Sequence, residues 1–145
     1  MKTKVMYHSF TGNTRKVAEA ISSAVGVSAE AITENTRLSE PIDLLFVGDG
    51  IYAGRMSAKT KAFIGSLTSE QVGNVAVFGT YGGEEKVIAE MTAILKAKGI
   101  SVCGEHFSCK GKAFLFANRN HPSEADIDHA AQFAKKIAQS VQERS

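Results

Sequence analysis

The amino-acid sequence predicts an α/β protein in which a five-stranded parallel sheet lies between two layers of helices. Short apolar runs alternate with segments whose apolar residues recur at helical intervals, a pattern typical of parallel strands joined by crossover helices. Two of the runs, at 43–48 and 74–79, are unbroken, as expected for strands buried on both faces. Five strands in 145 residues favour the smaller doubly wound sheet, with strand order 2-1-3-4-5.

The first half of the chain supplies three of the predicted strands and two helices. Residues 4–8 form a short strand candidate, and the apolar positions within 17–25 then recur at helical intervals. Residues 27–33 are a weaker strand candidate. The run 43–48 is the third strand, and a short helix is predicted around 63–67. This half therefore reads strand, helix, strand, strand, helix.

The second half is predicted to contain, in order, a strand at 74–79, a helix at 87–95, a strand at 100–107 and a helix at 127–141. Gly99 suits the end of the first of these helices, because glycine accepts the left-handed backbone conformation. Ser123 can cap the start of the second. The segment 108–120 leaves strand, loop and short helix open.

Composition and charge limit the class of protein. With 43% hydrophobic and 22% charged residues, the chain is expected to form one globular domain over residues 1–145. A net charge of +2 without a basic cluster argues against a nucleic acid partner. No apolar run approaches the roughly 20 residues of a membrane span, and no export signal is visible. Cys103 and Cys109 do not make a disulfide framework, so a cytoplasmic location is expected.

Three loops after the first, third and fourth predicted strands carry the candidate functional residues. They read SFTGNT at 9–14, GDGIYAG at 48–54 and GTYGG at 79–83, and all are rich in glycine, hydroxyl groups or both. In open parallel sheets, ligands bind beyond the carboxyl ends of the strands, near the point where the strand order reverses. We therefore expect a single ligand site formed by these three loops.

The first loop has the composition of an anion-binding site at a helix start. A helix start leaves several backbone N–H groups without partners and carries partial positive charge. Ser9, Thr11 and Thr14 can donate hydroxyl hydrogen bonds to a phosphate, and Gly12 lets the backbone come close to it. The alternative is that Thr11 or Asn13 only caps the helix. A cap uses one such residue, so we favour the anion site.

The pattern Ser9-x-Thr11-Gly12-Asn13-Thr14 resembles the FMN phosphate loop of flavodoxins, (S/T)-x-T-G-x-T. The likeness extends to the length of the chain and to the later loops, and it is closest to the short-chain type. It implies a flavodoxin-like three-layer α/β/α sandwich that holds one FMN non-covalently. It also implies an electron carrier that shuttles electrons between redox partner proteins, a reductase donor and an acceptor enzyme.

The resemblance further implies where the cofactor would lie. Its phosphate would occupy the first loop, and its ring would lie between the second and third loops. Tyr52 is the first choice for an aromatic side chain stacked on the ring, and Tyr81 is the second. Gly50 is the expected residue whose backbone carbonyl turns toward the ring. The predicted cofactor-binding residues are Ser9, Phe10, Thr11, Gly12, Asn13, Thr14, Asp49, Gly50, Ile51, Tyr52, Ala53, Gly54, Thr80, Tyr81, Gly82 and Gly83.

Other functions fit the sequence less well. The spacing G-x-G-x-x-x-G from Gly48 differs from the dinucleotide fingerprint and follows the third strand instead of the first. A receiver domain would need carboxylates after strand one, where Tyr7, His8 and Ser9 stand. The four histidines lack the spacing of metal ligands, and no catalytic residue is expected. An FMN-dependent quinone-type reductase stays open as the alternative to a carrier.

Overall fold

The computed structural model describes residues 1–50, 55–81, 86–110 and 122–144. Within them the chain forms a five-stranded sheet and four helices. The strands are β1 (Thr3–Tyr7), β2 (Ala29–Ala31), β3 (Ile42–Gly50), β4 (Val72–Tyr81) and β5 (Phe107–Lys110). The helices are α1 (Asn13–Val25), α2 (Ala58–Ser66), α3 (Val87–Ala97) and α4 (Glu124–Arg144).

The sheet is parallel throughout, and its strand order is β2-β1-β3-β4-β5. This confirms the predicted flavodoxin-like fold class and the predicted order. Tyr7 stands opposite Gly48, and Gly50 stands opposite Thr80. The carboxyl ends of β1, β3 and β4 are therefore adjacent, so the segments that follow these strands start from one edge of the sheet.

The core is divided into two layers by the sheet, and β3 shows why its sequence is apolar without interruption. Leu45 and Val47 belong to a cluster that packs against α2 and α3, whereas Leu44 and Phe46 belong to a cluster that packs against α1 and α4. All four side chains are fully buried. Each contributes about 1.5–3 kcal/mol through burial. β3 is thus covered on both faces, which makes the fold a three-layer sandwich.

The fifth strand begins later than the sequence predicts. Residues 100–107 were expected to form one strand, but Val102 makes only an isolated bridge with Val75, and the ladder starts where Phe107 pairs with Phe78. Val102 and Phe107 are five residues apart in sequence, whereas their partners on β4, Val75 and Phe78, are three residues apart. The segment between the two pairings therefore contains two extra residues, which form a bulge around Gly104. The predicted continuous strand is wrong because these extra residues interrupt the pairing with β4.

Two glycines let the elements beneath the site pack closely. A Cβ atom at Gly48 would overlap the ring of Phe78, and one at Gly79 would overlap Val87 of α3. The Gly79 Cβ would also lie 3.0 Å from the backbone oxygen of Asp49. The backbones of β3 and β4 are therefore closely packed near the carboxyl ends of the two strands. Among the helices that the structure describes, none is both long and apolar enough to cross a membrane.

Candidate functional site

Residues from all three predicted loop regions meet at the carboxyl edge of the sheet. Thr14 Oγ1, in the first turn of α1, lies 2.8 Å from Thr80 Oγ1, near the end of β4. Both threonines are buried, with 2% and 5% of their surface exposed. A Cβ atom at Gly50 would lie 3.1 Å from each of the two hydroxyl oxygens. The last residue of β3 must therefore be small for its backbone to approach the hydroxyl pair.

The start of α1 is held by bonds inside the first loop. Gly12 is the N-cap residue and has a φ of 91°, in the left-handed region that glycine tolerates. Its backbone N–H donates to Ser9 Oγ at 3.0 Å, and Asn13 Nδ2 donates to Thr11 Oγ1 at 2.9 Å. The N-cap position is occupied by this glycine, so neither Thr11 nor Asn13 holds it, and no cap hydrogen bond comes from the N-cap side chain.

The first loop also leaves polar groups within reach of solvent. Thr11 is exposed, Ser9 is half-buried, and the ring of Phe10 is 69% exposed. The first turn of α1 contains no acidic residue that would oppose an anion. These features give a helix start with positive character and with hydroxyl groups beside it.

A buried carboxylate lies at the end of β3. The side chain of Asp49 is 2% exposed. Its Oδ1 accepts a hydrogen bond from the Gly50 N–H at 2.7 Å, and its Oδ2 accepts one from the Ser57 N–H at 2.8 Å. The His8 Nδ1 atom lies 3.3 Å from Oδ1. Burial raises the pKa of the Asp49 carboxyl above its usual range, and the backbone hydrogen bonds from Ser57 and Gly50 oppose that shift.

The comparisons with known proteins show the family of the chain. The model of the flavodoxin domain family matches residues 4–115. The chain belongs to this family. An uncharacterised protein of Methanocaldococcus jannaschii is 32% identical, and the alignment covers 94% of this chain and 98% of that protein.

Two solved flavodoxin structures share the fold of this family member. A flavodoxin from the domain Archaea superposes with a TM-score of 0.79 at 20% identity, covering 98% of this chain and 99% of that one. A short-chain flavodoxin associated with a non-canonical PDU bacterial microcompartment gives a TM-score of 0.76 at 21% identity, covering 97% of this chain and 99% of that one. At these identities the likeness shows the fold.

The predicted site residues divide into those that the structure brings together and those that it does not describe. Thr14, Gly50 and Thr80 are in contact distance, and Tyr81 is half-buried as the last residue of β4. The predicted residues Ile51, Tyr52, Ala53, Gly54, Gly82 and Gly83 lie outside the described residues. The stacking role of Tyr52 therefore stays a prediction.

Sequence reasoning missed two of the partners of Asp49. His8 was not expected to belong to the site, but its ring contacts the carboxylate. The signal was available in the strand order: once Tyr7 stands opposite Gly48, the next residue of each strand is also adjacent. Ser57, in contrast, contributes a backbone N–H, which no side-chain pattern reveals.

The buried cysteine near this edge is a packing residue. Cys109 pairs in register with Thr80, is 6% exposed and belongs to the apolar cluster against α1 and α4. Burial raises the pKa of its thiol to about 12. The thiol is therefore protonated at neutral pH and is not a nucleophile.

Proposed function

We propose that this protein is an FMN-binding electron carrier that holds its cofactor at the carboxyl edge of the sheet. One observation carries the proposal: Thr14, Gly50 and Thr80 come from three separate segments and meet here, with the two threonine hydroxyl oxygens 2.8 Å apart and only the space of a small residue between them and the Gly50 backbone. Ligands of open parallel sheets bind at such an edge. Membership of the flavodoxin family supports a flavin as the ligand, and the solved relatives named above are flavodoxins.

The described residues of the first loop fit a phosphate group. The start of α1 carries the partial positive charge of a helix N-terminus and has no acidic residue in its first turn, which suits an anion. Ser9 and Thr11 supply hydroxyl groups beside it, and Gly12 holds the N-cap position in the left-handed conformation. A hydrogen bond to a charged group contributes about 1.5–3 kcal/mol. Several such bonds would hold the phosphate firmly.

The remaining predicted residues would surround the ring. We place it beside Gly50 and Tyr81, with Tyr52 as the expected stacking partner. Bound FMN would supply the electron transfer, while the residues of this chain would bind it, orient it and exclude water from one side. The single-domain organisation over residues 1–145 and the cytoplasmic location stay predictions.

The test is a titration of FMN fluorescence with the purified apoprotein. We expect quenching that saturates at one FMN per chain, at micromolar protein or below, because a ring packed between two loops loses its fluorescence. Riboflavin, which lacks the phosphate, should bind more weakly. An absence of quenching at micromolar protein would sink the proposal.

The short connections that follow β1, β3 and β4, which we assign to the cofactor, favour a carrier over an FMN-dependent quinone-type reductase. Five residues separate β1 from α1, seven separate β3 from α2, and five separate β4 from α3. Such connections leave little chain to build a pocket for a quinone and a nicotinamide beside the flavin. We therefore expect no steady NAD(P)H oxidation by the holoprotein with a quinone present and no reductase added. Steady turnover would favour the enzyme instead.

A further inference from the structure

We propose that Asp49 is a positioning residue and not a cofactor ligand. Its carboxylate joins Gly50 and Ser57, the two ends of the second loop as it runs from β3 to α2, and links that loop to the first through His8. The inference rests on the proposed function, because it concerns the loop that we assign to the flavin ring. It revises the expectation from sequence, in which Asp49 was counted among the residues that contact the cofactor.

The two oxygens of the carboxylate hold two separate points of the backbone. Oδ1 accepts from the Gly50 N–H at 2.7 Å, and Oδ2 accepts from the Ser57 N–H at 2.8 Å. Gly50 is the last residue of β3, and Ser57 is the N-cap of α2. One side chain therefore fixes the distance between the point where the loop leaves the sheet and the point where it enters the helix.

His8 extends this connection to the first loop. Its backbone N–H donates to the carbonyl oxygen of Gly48 at 3.0 Å, and its Nδ1 lies 3.3 Å from Oδ1 of Asp49. Backbone and ring of one residue thus contact the end of β3, immediately before Ser9 begins the first loop. The backbone bond to Gly48 does not involve Asp49, so it should keep the start of the first loop in place when the Asp49 side chain is changed.

The same contacts argue against direct binding of the cofactor by Asp49. The side chain is 2% exposed, and each oxygen already accepts a short hydrogen bond from a backbone N–H. A ligand group would therefore find almost no open surface from which to reach either oxygen. A carboxylate close to a phosphate would also repel it.

The substitution Asp49→Asn separates positioning from simple space filling. Asparagine has nearly the same volume, but it has one acceptor oxygen and an NH₂ group in place of the second. Either the Gly50 N–H or the Ser57 N–H would then face another donor. One end of the loop should be released while the core around β3 stays filled.

Limited trypsin digestion of the flavin-free protein tests the proposal. Arg55 is exposed and lies between the two anchored points, so cleavage after it reports local opening of the loop. We expect Asp49→Asn to raise the rate of this cleavage by about tenfold, the effect of losing one hydrogen bond to a charged group. Ile137→Val is the matched control, because it weakens the core against α4, away from the loop.

The outcomes are distinct. The Ile137→Val variant shows how much cleavage after Arg55 rises for a given loss of global stability. If the rise in Asp49→Asn is no larger than its own loss of global stability accounts for on that scale, the positioning role is wrong. If Asp49→Asn does not fold, His8→Asn replaces it: both backbone ties remain, so we expect a smaller rise, and an unchanged rate would overturn the link to the first loop. Because no flavin is present, these results do not depend on whether the protein binds FMN.

A second readout places the role in the cofactor site. In fluorescence titrations, Asp49→Asn should weaken FMN and riboflavin by the same factor, because the two share the ring and differ only in the phosphate. Normal affinity for both, together with faster cleavage, would show that the loop ends need no anchor for binding and would overturn the positioning role. Loss of FMN affinity alone would indicate that Asp49 acts on the phosphate side.

Discussion

The first and second loops of the site are held in different ways. In the first loop the hydrogen bonds are local: Ser9 accepts from a residue three positions later, and Thr11 from one two positions later. In the second loop Asp49 accepts a hydrogen bond from the backbone N–H of Ser57, eight positions later, and contacts His8, 41 positions earlier. The first loop is shaped by its own sequence, whereas the second depends on the assembled sheet.

The two regions also differ in what they leave for a ligand. The first loop keeps Ser9 and Thr11 at least partly exposed, so their hydroxyl groups remain near the surface beside the helix start. The second region uses its carboxylate internally, where 2% of the Asp49 side chain is exposed. We infer that the first loop supplies binding groups and that Asp49 supplies shape.

The largest expected effects are on FMN affinity in the first loop. Thr11→Ala and Thr14→Ala should each raise the Kd for FMN by about 10- to 100-fold, since each removes a hydrogen bond to a charged group. Riboflavin should be affected much less in Thr11→Ala. Thr14→Ala should also cost about 1 kcal/mol of stability, because the buried Thr80 hydroxyl loses its partner.

Fluorescence titrations with both flavins measure these effects, with Thr68→Ala as the control. Thr68 is exposed and precedes β4, at the opposite edge of the sheet, so its loss should change neither affinity. Equal losses of FMN and riboflavin in Thr11→Ala would contradict the placement of the phosphate in the first loop.

Two glycine substitutions should produce smaller effects of different kinds. Gly12→Ala should lower the free energy of unfolding by about 1–2 kcal/mol, because alanine is strained at a φ of 91° although space is open around it. Gly12→Asn should recover part of the loss. Urea unfolding followed by circular dichroism measures this change. Equal stability of Gly12→Ala and the wild type would contradict the left-handed cap.

Gly50→Ala should act on binding instead of on backbone strain. Gly50 does not have a positive φ, so alanine would not strain the backbone there. The new Cβ atom would, however, lie 3.1 Å from the hydroxyl oxygens of Thr14 and Thr80. The hydroxyls must shift, so FMN affinity should fall while the free energy of unfolding changes less than in Gly12→Ala. The same two measurements apply to this variant. Unchanged FMN affinity would show that the hydroxyl pair lies away from the ligand.

The smallest expected effect is a dependence of stability on pH. Burial raises the pKa of Asp49 in the folded state, and the backbone hydrogen bonds from Ser57 and Gly50 only partly oppose that shift. The folded protein then binds the proton more tightly than the unfolded chain does, so this group stabilises most at acid pH and its contribution is lost as the pH rises through the folded pKa. The stability of the wild type relative to Asp49→Asn should therefore decline as the pH rises from about 4, the ordinary pKa of an aspartate, through the raised pKa of the folded state. A relative stability that grows with pH would mean that the charged carboxylate is favoured.

The parts of the fold that the sequence predicted are those fixed by local pattern. The apolar runs of β3 and β4 predict burial on both faces, and the residues of both strands do belong to the two core clusters on opposite faces of the sheet. β5 was misplaced because its start depends on which residues of β4 it can reach, as the pairing of Phe107 with Phe78 shows. The contact between His8 and Asp49 follows from strand register, which becomes known only when the sheet is assembled.

The difference between the two loops is tested most directly by the ratio of the riboflavin Kd to the FMN Kd, measured by fluorescence titration of the wild type, Thr11→Ala and Asp49→Asn. This ratio isolates the contribution of the phosphate. We expect it to fall by about tenfold or more in Thr11→Ala, the value of one charged hydrogen bond, and to stay within about twofold of the wild type in Asp49→Asn. A wild-type ratio near one, or a fall in Asp49→Asn as large as that in Thr11→Ala, would contradict the account.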